Sequence, residues 1–100
     1  MLAIKRDPDF VEAWFNYAGL LREDGKIATA REHLKRAIEI DPDYADAVYN
    51  LATLEYDAGD LTQARRWWVR YLELDQDSDW ARTAARGIAY ADTQLRRSAS

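Results

Sequence analysis

Apolar residues recur through this chain at intervals of three and four positions, the spacing that puts them on one face of an α-helix. Four such stretches follow one another and predict four amphipathic helices. Their apolar positions are Phe10, Trp14, Tyr17, Ala18 and Leu21; Ile27, Ala30, Leu34, Ala37, Ile38 and Ile40; Val48, Leu51 and Ala52; and Leu61, Ala64, Trp68 and Leu72. The pattern therefore predicts an all-α fold.

Short breaks separate the predicted helices. Gly25 and Gly59 stand where a tight helix-to-helix turn needs a positive φ, which glycine adopts without a steric clash. Between the second and third helices, Asp41 offers a helix cap and Pro42 suits a first helical turn. A new helix is therefore predicted to start there.

A fifth helix is predicted from about Ser78 to Arg97. Its apolar stripe consists of Trp80, Ala84, Ile88, Ala91 and Leu95. We interpret it as a helix that caps the preceding pair and keeps its exposed face in contact with solvent. Trp14 and Trp68 are predicted to be core residues, and Trp80 is predicted to pack this helix onto its neighbours.

The chain also repeats itself with a period of 34 residues, because 11 of 34 positions are identical after that shift, Asn16 and Asn50 among them. The repeated positions resemble the tetratricopeptide repeat (TPR) family. The first full repeat carries the family signature at Trp14, Tyr17, Ala18, Leu21, Ala30, Leu34, Ala37 and Pro42. The second carries Val48, Leu51, Ala52, Ala64 and Trp68, and departs from the signature at Glu55, Tyr71 and Gln76.

This resemblance implies a TPR-type antiparallel helix-pair solenoid of about two and a half repeats plus a C-terminal capping helix. We predict one domain, in which residues 1–8 end a preceding repeat, residues 11–44 and 45–78 form two repeats, and residues 79–97 form the cap. Because residues 1–8 match only the end of a repeat, we expect the chain to be a segment of a longer protein. A degenerate second repeat before a tryptophan-bearing helix is also similar to the TPR tails of bacterial helix-turn-helix regulators.

Charge and composition limit the classes of partner. The net charge of −4 disfavours nucleic acid, whose phosphates would repel an acidic chain. No apolar run approaches the length of a membrane span, and the absence of cysteine excludes disulfides and favours a reducing, cytoplasmic location. We expect neither nucleic acid nor membrane as a partner.

Catalytic and metal-binding constellations find little support in the sequence. The single histidine, His33, is equivalent to Trp67 one repeat later, which predicts a packing or surface role rather than catalysis. The acidic pairs Asp7/Asp9, Asp41/Asp43 and Asp75/Asp77 recur at predicted helix starts, where capping explains them without a metal. We therefore expect no enzyme activity, no cofactor and no metal site.

The TPR resemblance implies a concave groove lined by the first helices of successive repeats. Its expected peptide-binding residues are Glu12, Phe15, Asn16, Gly19, Arg22, Glu23, Asp46, Tyr49, Asn50, Thr53, Tyr56 and Asp57. Their acidic excess favours a basic or neutral segment. The clamp with which chaperone-binding TPRs hold a carboxylate is not expected, because one of its positions matches, Asn50, and four do not: Phe15, Gly19, Trp80 and Ala84.

The sequence thus predicts a non-catalytic scaffold that binds a peptide segment or partner domain in this groove. The alternative is a structural self-association module of a larger, regulatory protein. In that case, apolar residues near the N-terminus, left without a covering helix, would form a weak homodimer through the N-terminal edge.

Overall fold

The computed structural model describes Leu20 and residues 23–99. It contains the helices α1 (Ile27–Ile40), α2 (Ala45–Asp57), α3 (Leu61–Leu74) and α4 (Asp79–Ala99). Every regular element in the described part of the chain is a helix, so the predicted all-α class is confirmed. The core prediction for Trp14 falls outside the described residues.

The chain divides into two compact units, residues 1–47 and residues 48–100. In the described part of the first unit, α1 buries Ala30, Leu34 and Ala37. These three residues are the second-helix signature positions of the first repeat. Their burial agrees with the spacing of three and four residues that predicted this helix, which begins and ends where the apolar pattern does.

The second unit holds most of α2 together with α3 and α4. Its core consists of Val48, Leu51, Ala52 and Leu54 from α2, Ala64, Trp68 and Tyr71 from α3, and Ala81, Ala84 and Ala91 from α4. Glu55 is also buried. Its position is one where the family has a large apolar residue, so a carboxylate side chain occupies a core position here. The predicted core position of Trp68 is confirmed.

Both glycine turns have the predicted geometry. Gly25 has φ = 78° and Gly59 has φ = 86°, and no other described residue has a positive φ. At the second turn, the Asp60 amide donates to the Glu55 carbonyl at 2.9 Å, which closes the C-terminal end of α2. The Asp60 carboxylate in turn accepts from the Gln63 amide at 3.1 Å and caps α3.

The start of α2 differs from the prediction, because the helix begins at Ala45 and not at Pro42. The Asp41 carboxylate accepts from the Asp43 amide at 3.1 Å, and the Asp41 carbonyl accepts from the Tyr44 amide at 3.0 Å. A short carboxylate reaches an amide two residues on and holds a turn instead of capping a helix. The equivalent Asp75 accepts from the Asp77 amide at 3.2 Å.

The capping helix α4 extends to Ala99, two residues beyond the predicted end. Ala84 and Ala91 are buried as its apolar stripe requires, whereas Trp80 is 61% exposed and Ala81 is buried in its place. Trp80 therefore lies at the exposed margin of the stripe. Trp80 does contact the preceding repeat, since its ring meets that of Tyr49 edge-on at a centroid distance of 5.0 Å.

Candidate functional site

A groove of about 380 Å³ lies within the second unit, between α2 and α4, with α3 beneath. It is lined by Tyr49, Thr53, Tyr56 and Asp57 from α2, by Trp68 from α3, and by Thr83, Arg86, Gly87 and Tyr90 from α4. Residues on each wall recur at intervals of three and four positions, so each wall is one helix face. The volume is near the lower end for ligand pockets and suits a few side chains.

The two walls run in the same direction along the groove. Tyr49 meets Trp80 near one end, and Tyr56 meets Tyr90 with a centroid distance of 6.1 Å further along. Between these aromatic pairs, the walls carry two threonine hydroxyls and one guanidinium. Along its length, the groove therefore has an aromatic end, a polar middle and a second aromatic end.

The floor depends on Gly87, where α4 approaches the ring of Trp68. A Cβ atom at this position would lie only 2.7–2.8 Å from three ring carbons of Trp68. Any other residue would therefore force the ring or the helix to move. Trp68 is 5% exposed, so one indole serves both as core and as groove floor.

Aromatic rings form the sides of the groove above this floor. The ring of Tyr56 lies 5.8 Å from that of Trp68, between centroids, and also contacts Tyr90. Tyr56 and Tyr90 are 42% and 48% exposed. These rings offer apolar area to a ligand while their hydroxyl ends remain in contact with water.

Polar groups occupy the middle of the groove. The Thr53 hydroxyl donates to the Tyr49 carbonyl at 3.1 Å, and the Thr83 hydroxyl donates to the Asp79 carbonyl at 3.1 Å. The Arg86 guanidinium donates to the Thr83 hydroxyl at 3.4 Å, which is a long contact. With Asp57, the lining carries one guanidinium and one carboxylate, so its charges balance.

The loop before α4 fixes the position of that wall. The Tyr71 hydroxyl donates to the Asp75 carboxylate at 2.7 Å, and the Ser78 hydroxyl donates to the same carboxylate. Ser78 also caps α4, because its hydroxyl oxygen accepts from the Ala81 amide at 3.1 Å. Further along, the Arg65 side chain pairs with Asp92 at 2.5 Å and ties α3 to α4. Tyr71 replaces a small family residue, and its hydroxyl provides one of these bonds.

This network gives stability a dependence on acid pH. The hydrogen bonds from the Ser78 and Tyr71 hydroxyls lower the pKa of Asp75 below its ordinary value. An Asp in an unfolded chain titrates near about 3.9, so the Asp75 carboxylate stabilises the fold above that pH, and its contribution is lost as pH falls through the lowered pKa. We expect Asp75→Asn to flatten the dependence of the melting temperature on pH below about pH 4.

The matched control for this experiment is Asp77→Asn, which removes a carboxylate from the same loop. Its side chain accepts none of the bonds described above. We expect Asp77→Asn to keep the wild-type loss of stability on acidification. Equal pH profiles for wild type and Asp75→Asn would contradict the assignment.

The residues predicted to bind a peptide divide into three groups. Tyr49, Thr53, Tyr56 and Asp57 line the groove. Glu23 and Asp46 are exposed and Asn50 is half-buried, but none of them is part of this lining. The remaining predicted residues, which lie outside the described part of the chain, are Glu12, Phe15, Asn16, Gly19 and Arg22. The N-terminal edge of the alternative dimer also falls there.

None of the residues of the α4 wall was predicted to bind a ligand, and Trp68 was predicted only as a core residue. The residues of this wall recur at helical spacing beside the predicted apolar stripe of α4. They are Thr83, Arg86, Gly87 and Tyr90. A glycine in mid-helix costs about 1 kcal/mol relative to alanine, which was a usable signal of close packing.

The single histidine makes a local contact within its own helix. His33 contacts the Thr29 carbonyl of its own helix at 2.9 Å through Nδ1. Among the residues that the structure describes, no three His, Cys, Asp or Glu side chains gather where they could hold a metal ion. Across residues 23–99, no helix has both the length and the apolar character needed to cross a bilayer.

Comparison with known families agrees with the helix pairs and their period. A sequence profile described as tetratricopeptide repeat matches residues 21–87, and a second profile with the same description matches residues 1–32. The chain belongs to the tetratricopeptide repeat family. No curated protein sequence matches it.

TPR repeats generally mediate contacts between proteins, and the family is typically a non-catalytic scaffold. The helices of the described residues and the family match together define the fold as an all-α TPR solenoid of helix pairs. The groove between α2 and α4 combines exposed aromatic rings, hydroxyl groups and one charge of each sign on a single concave surface.

Proposed function

We propose that this TPR chain is a non-catalytic interaction module that holds a peptide segment of a partner protein in the groove between α2 and α4. The observation that carries the proposal is the exposed pair Tyr56 and Tyr90 over the floor of Trp68 and Gly87. Exposed aromatic rings beside a fixed floor supply contact area at a small entropy cost, as hot-spot residues do.

The charge of the partner segment belongs to the same proposal. The acidic excess in the sequence favoured a basic or neutral segment. The groove lining contains Arg86 as well as Asp57, so its positive and negative charges are equal in number. We propose a segment that is neutral overall. The cytoplasmic location expected from the sequence is kept as part of this proposal.

A library of random twelve-residue peptides displayed on phage, selected on the full chain, tests this function. Enriched peptides, synthesised with a fluorescent label, should bind wild type in a polarisation titration. The double variant Tyr56→Ala, Tyr90→Ala should weaken binding by about tenfold or more, because each ring supplies about 1 kcal/mol or more of contact. Both side chains are nearly half exposed and neither belongs to the buried core, so the fold should survive.

Val69→Ala is the matched control, since Val69 is an exposed apolar residue of α3 that does not line the groove. It should bind the same peptides as wild type does. Failure of the library to yield any peptide that binds wild type would refute the proposal. Equal binding by wild type and the double tyrosine variant would place the site elsewhere.

A further inference from the structure

Among the described residues, Arg86 lacks the carboxylate partner that three other arginines of the second unit have. Arg65, Arg70 and Arg82 each pair with a carboxylate, which belongs to Asp92, Glu73 and Asp79 respectively. In the described part of the chain, Arg86 has no such pair, and its contact is the long one to the Thr83 hydroxyl. An exposed guanidinium in a groove wall is thus available to a carboxylate from outside.

The guanidinium lies beside the aromatic part of the groove. Arg86 directly precedes Gly87, which seats Trp68, and Tyr90 follows one helical turn later. Four residues of helix rise by about 6 Å. Alternate side chains of an extended peptide, which point to the same side, are separated by about 6.6 Å. A carboxylate on Arg86 would therefore place the side chain two positions away over Tyr56, Trp68 and Tyr90.

We propose that the groove recognises an extended segment in which an acidic residue and a bulky apolar residue are two positions apart. The carboxylate pairs with Arg86, whose planar fork of donors matches it. The apolar side chain packs on Trp68 between the rings of Tyr56 and Tyr90. This inference rests on the proposed function and adds the side-chain pattern that the site reads.

The test compares peptides selected from the same random phage library on wild type and on Arg86→Glu. Wild type should enrich Asp or Glu two positions before or after Phe, Tyr, Trp, Leu, Ile or Met. Arg86→Glu should retain the apolar residue and exchange the acid for Lys or Arg. A selected acidic peptide should bind Arg86→Glu about fivefold or more weakly than wild type, since an exposed attraction becomes a repulsion.

Two further measurements separate recognition from structure. Raising the salt concentration should weaken peptide binding to wild type more than to an Arg86→Met variant, because screening acts on the ion pair. Arg97→Glu makes the same charge change on an exposed residue of α4 outside the groove lining, and should select the wild-type pattern. Circular dichroism should show equal helix content for all variants.

The outcomes distinguish this inference from the proposed function. Selected peptides that need Tyr56 and Tyr90 but carry no acid at the stated spacing would overturn the inference alone. The same holds if Arg86→Glu selects the wild-type pattern or if salt affects wild type and Arg86→Met equally. A library that yields no binder to wild type would overturn the proposed function and the inference together.

Discussion

Replacing Trp68 by alanine is expected to lower the free energy of unfolding by about 3–5 kcal/mol, a large share of the total for a chain of this size. The indole is 5% exposed, contacts Tyr56 and lies directly against Gly87. Removing it leaves a cavity between α3 and α4, beside a glycine that has no side chain to fill it. Urea denaturation followed by circular dichroism measures the loss.

The comparison for Trp68→Ala is Trp80→Ala, which deletes the same number of atoms from a ring that is 61% exposed. This variant should lose only about 1 kcal/mol, the typical value of one aromatic pair, because its ring is mostly exposed and forms one edge-to-face pair with Tyr49. Equal denaturation midpoints for Trp68→Ala and wild type would show that the indole is not part of the core.

Replacing Gly87 by valine is expected to destabilise the chain by about 3 kcal/mol, at the upper end for overpacking. The new Cβ would lie 2.7–2.8 Å from ring carbons of Trp68, and the two methyl groups would add to the conflict. Either the indole leaves its seat or α4 moves away from α3. Thermal unfolding by calorimetry measures the effect.

Ala85→Val is the matched control for Gly87→Val, because Ala85 is exposed on the same helix. It should cost about 0.5 kcal/mol, the difference in helix propensity between the two residues. On the same propensity scale, valine is a better helix former than glycine. If helix propensity alone acted at position 87, Gly87→Val would therefore stabilise the chain. A Gly87→Val protein at least as stable as wild type would therefore contradict the close approach.

Most of the fold could be predicted from the sequence, because its helices and turns depend on patterns within short segments of the chain. The spacing of Ala30, Leu34 and Ala37 places one apolar face on α1, and Gly59 marks a turn that needs a positive φ. Both features are properties of short segments. The 34-residue period then identified the family, since each repeat packs mainly on its neighbours.

The site was less readable because it depends on which helices meet. The pattern named Tyr49, Thr53, Tyr56 and Asp57 as one face of α2, but could not say what faced them. Tyr90 has no signature in a single repeat, and its meeting with Tyr56 requires the packing of α4 against α3. The start of α2 was misplaced for another reason, because a carboxylate before a proline can hold a turn as readily as it can cap a helix.

Trp68 belongs to the core and to the groove floor at once, which limits how this groove can change its preference. A substitution at Trp68 or Gly87 would alter the ligand and the fold together, so variants there would be lost before a new preference could be selected. Three other lining residues are exposed and do not belong to the buried core: Tyr56, Arg86 and Tyr90. Divergence, or deliberate redesign, of ligand choice should therefore be confined to the rim of the groove while its floor stays fixed.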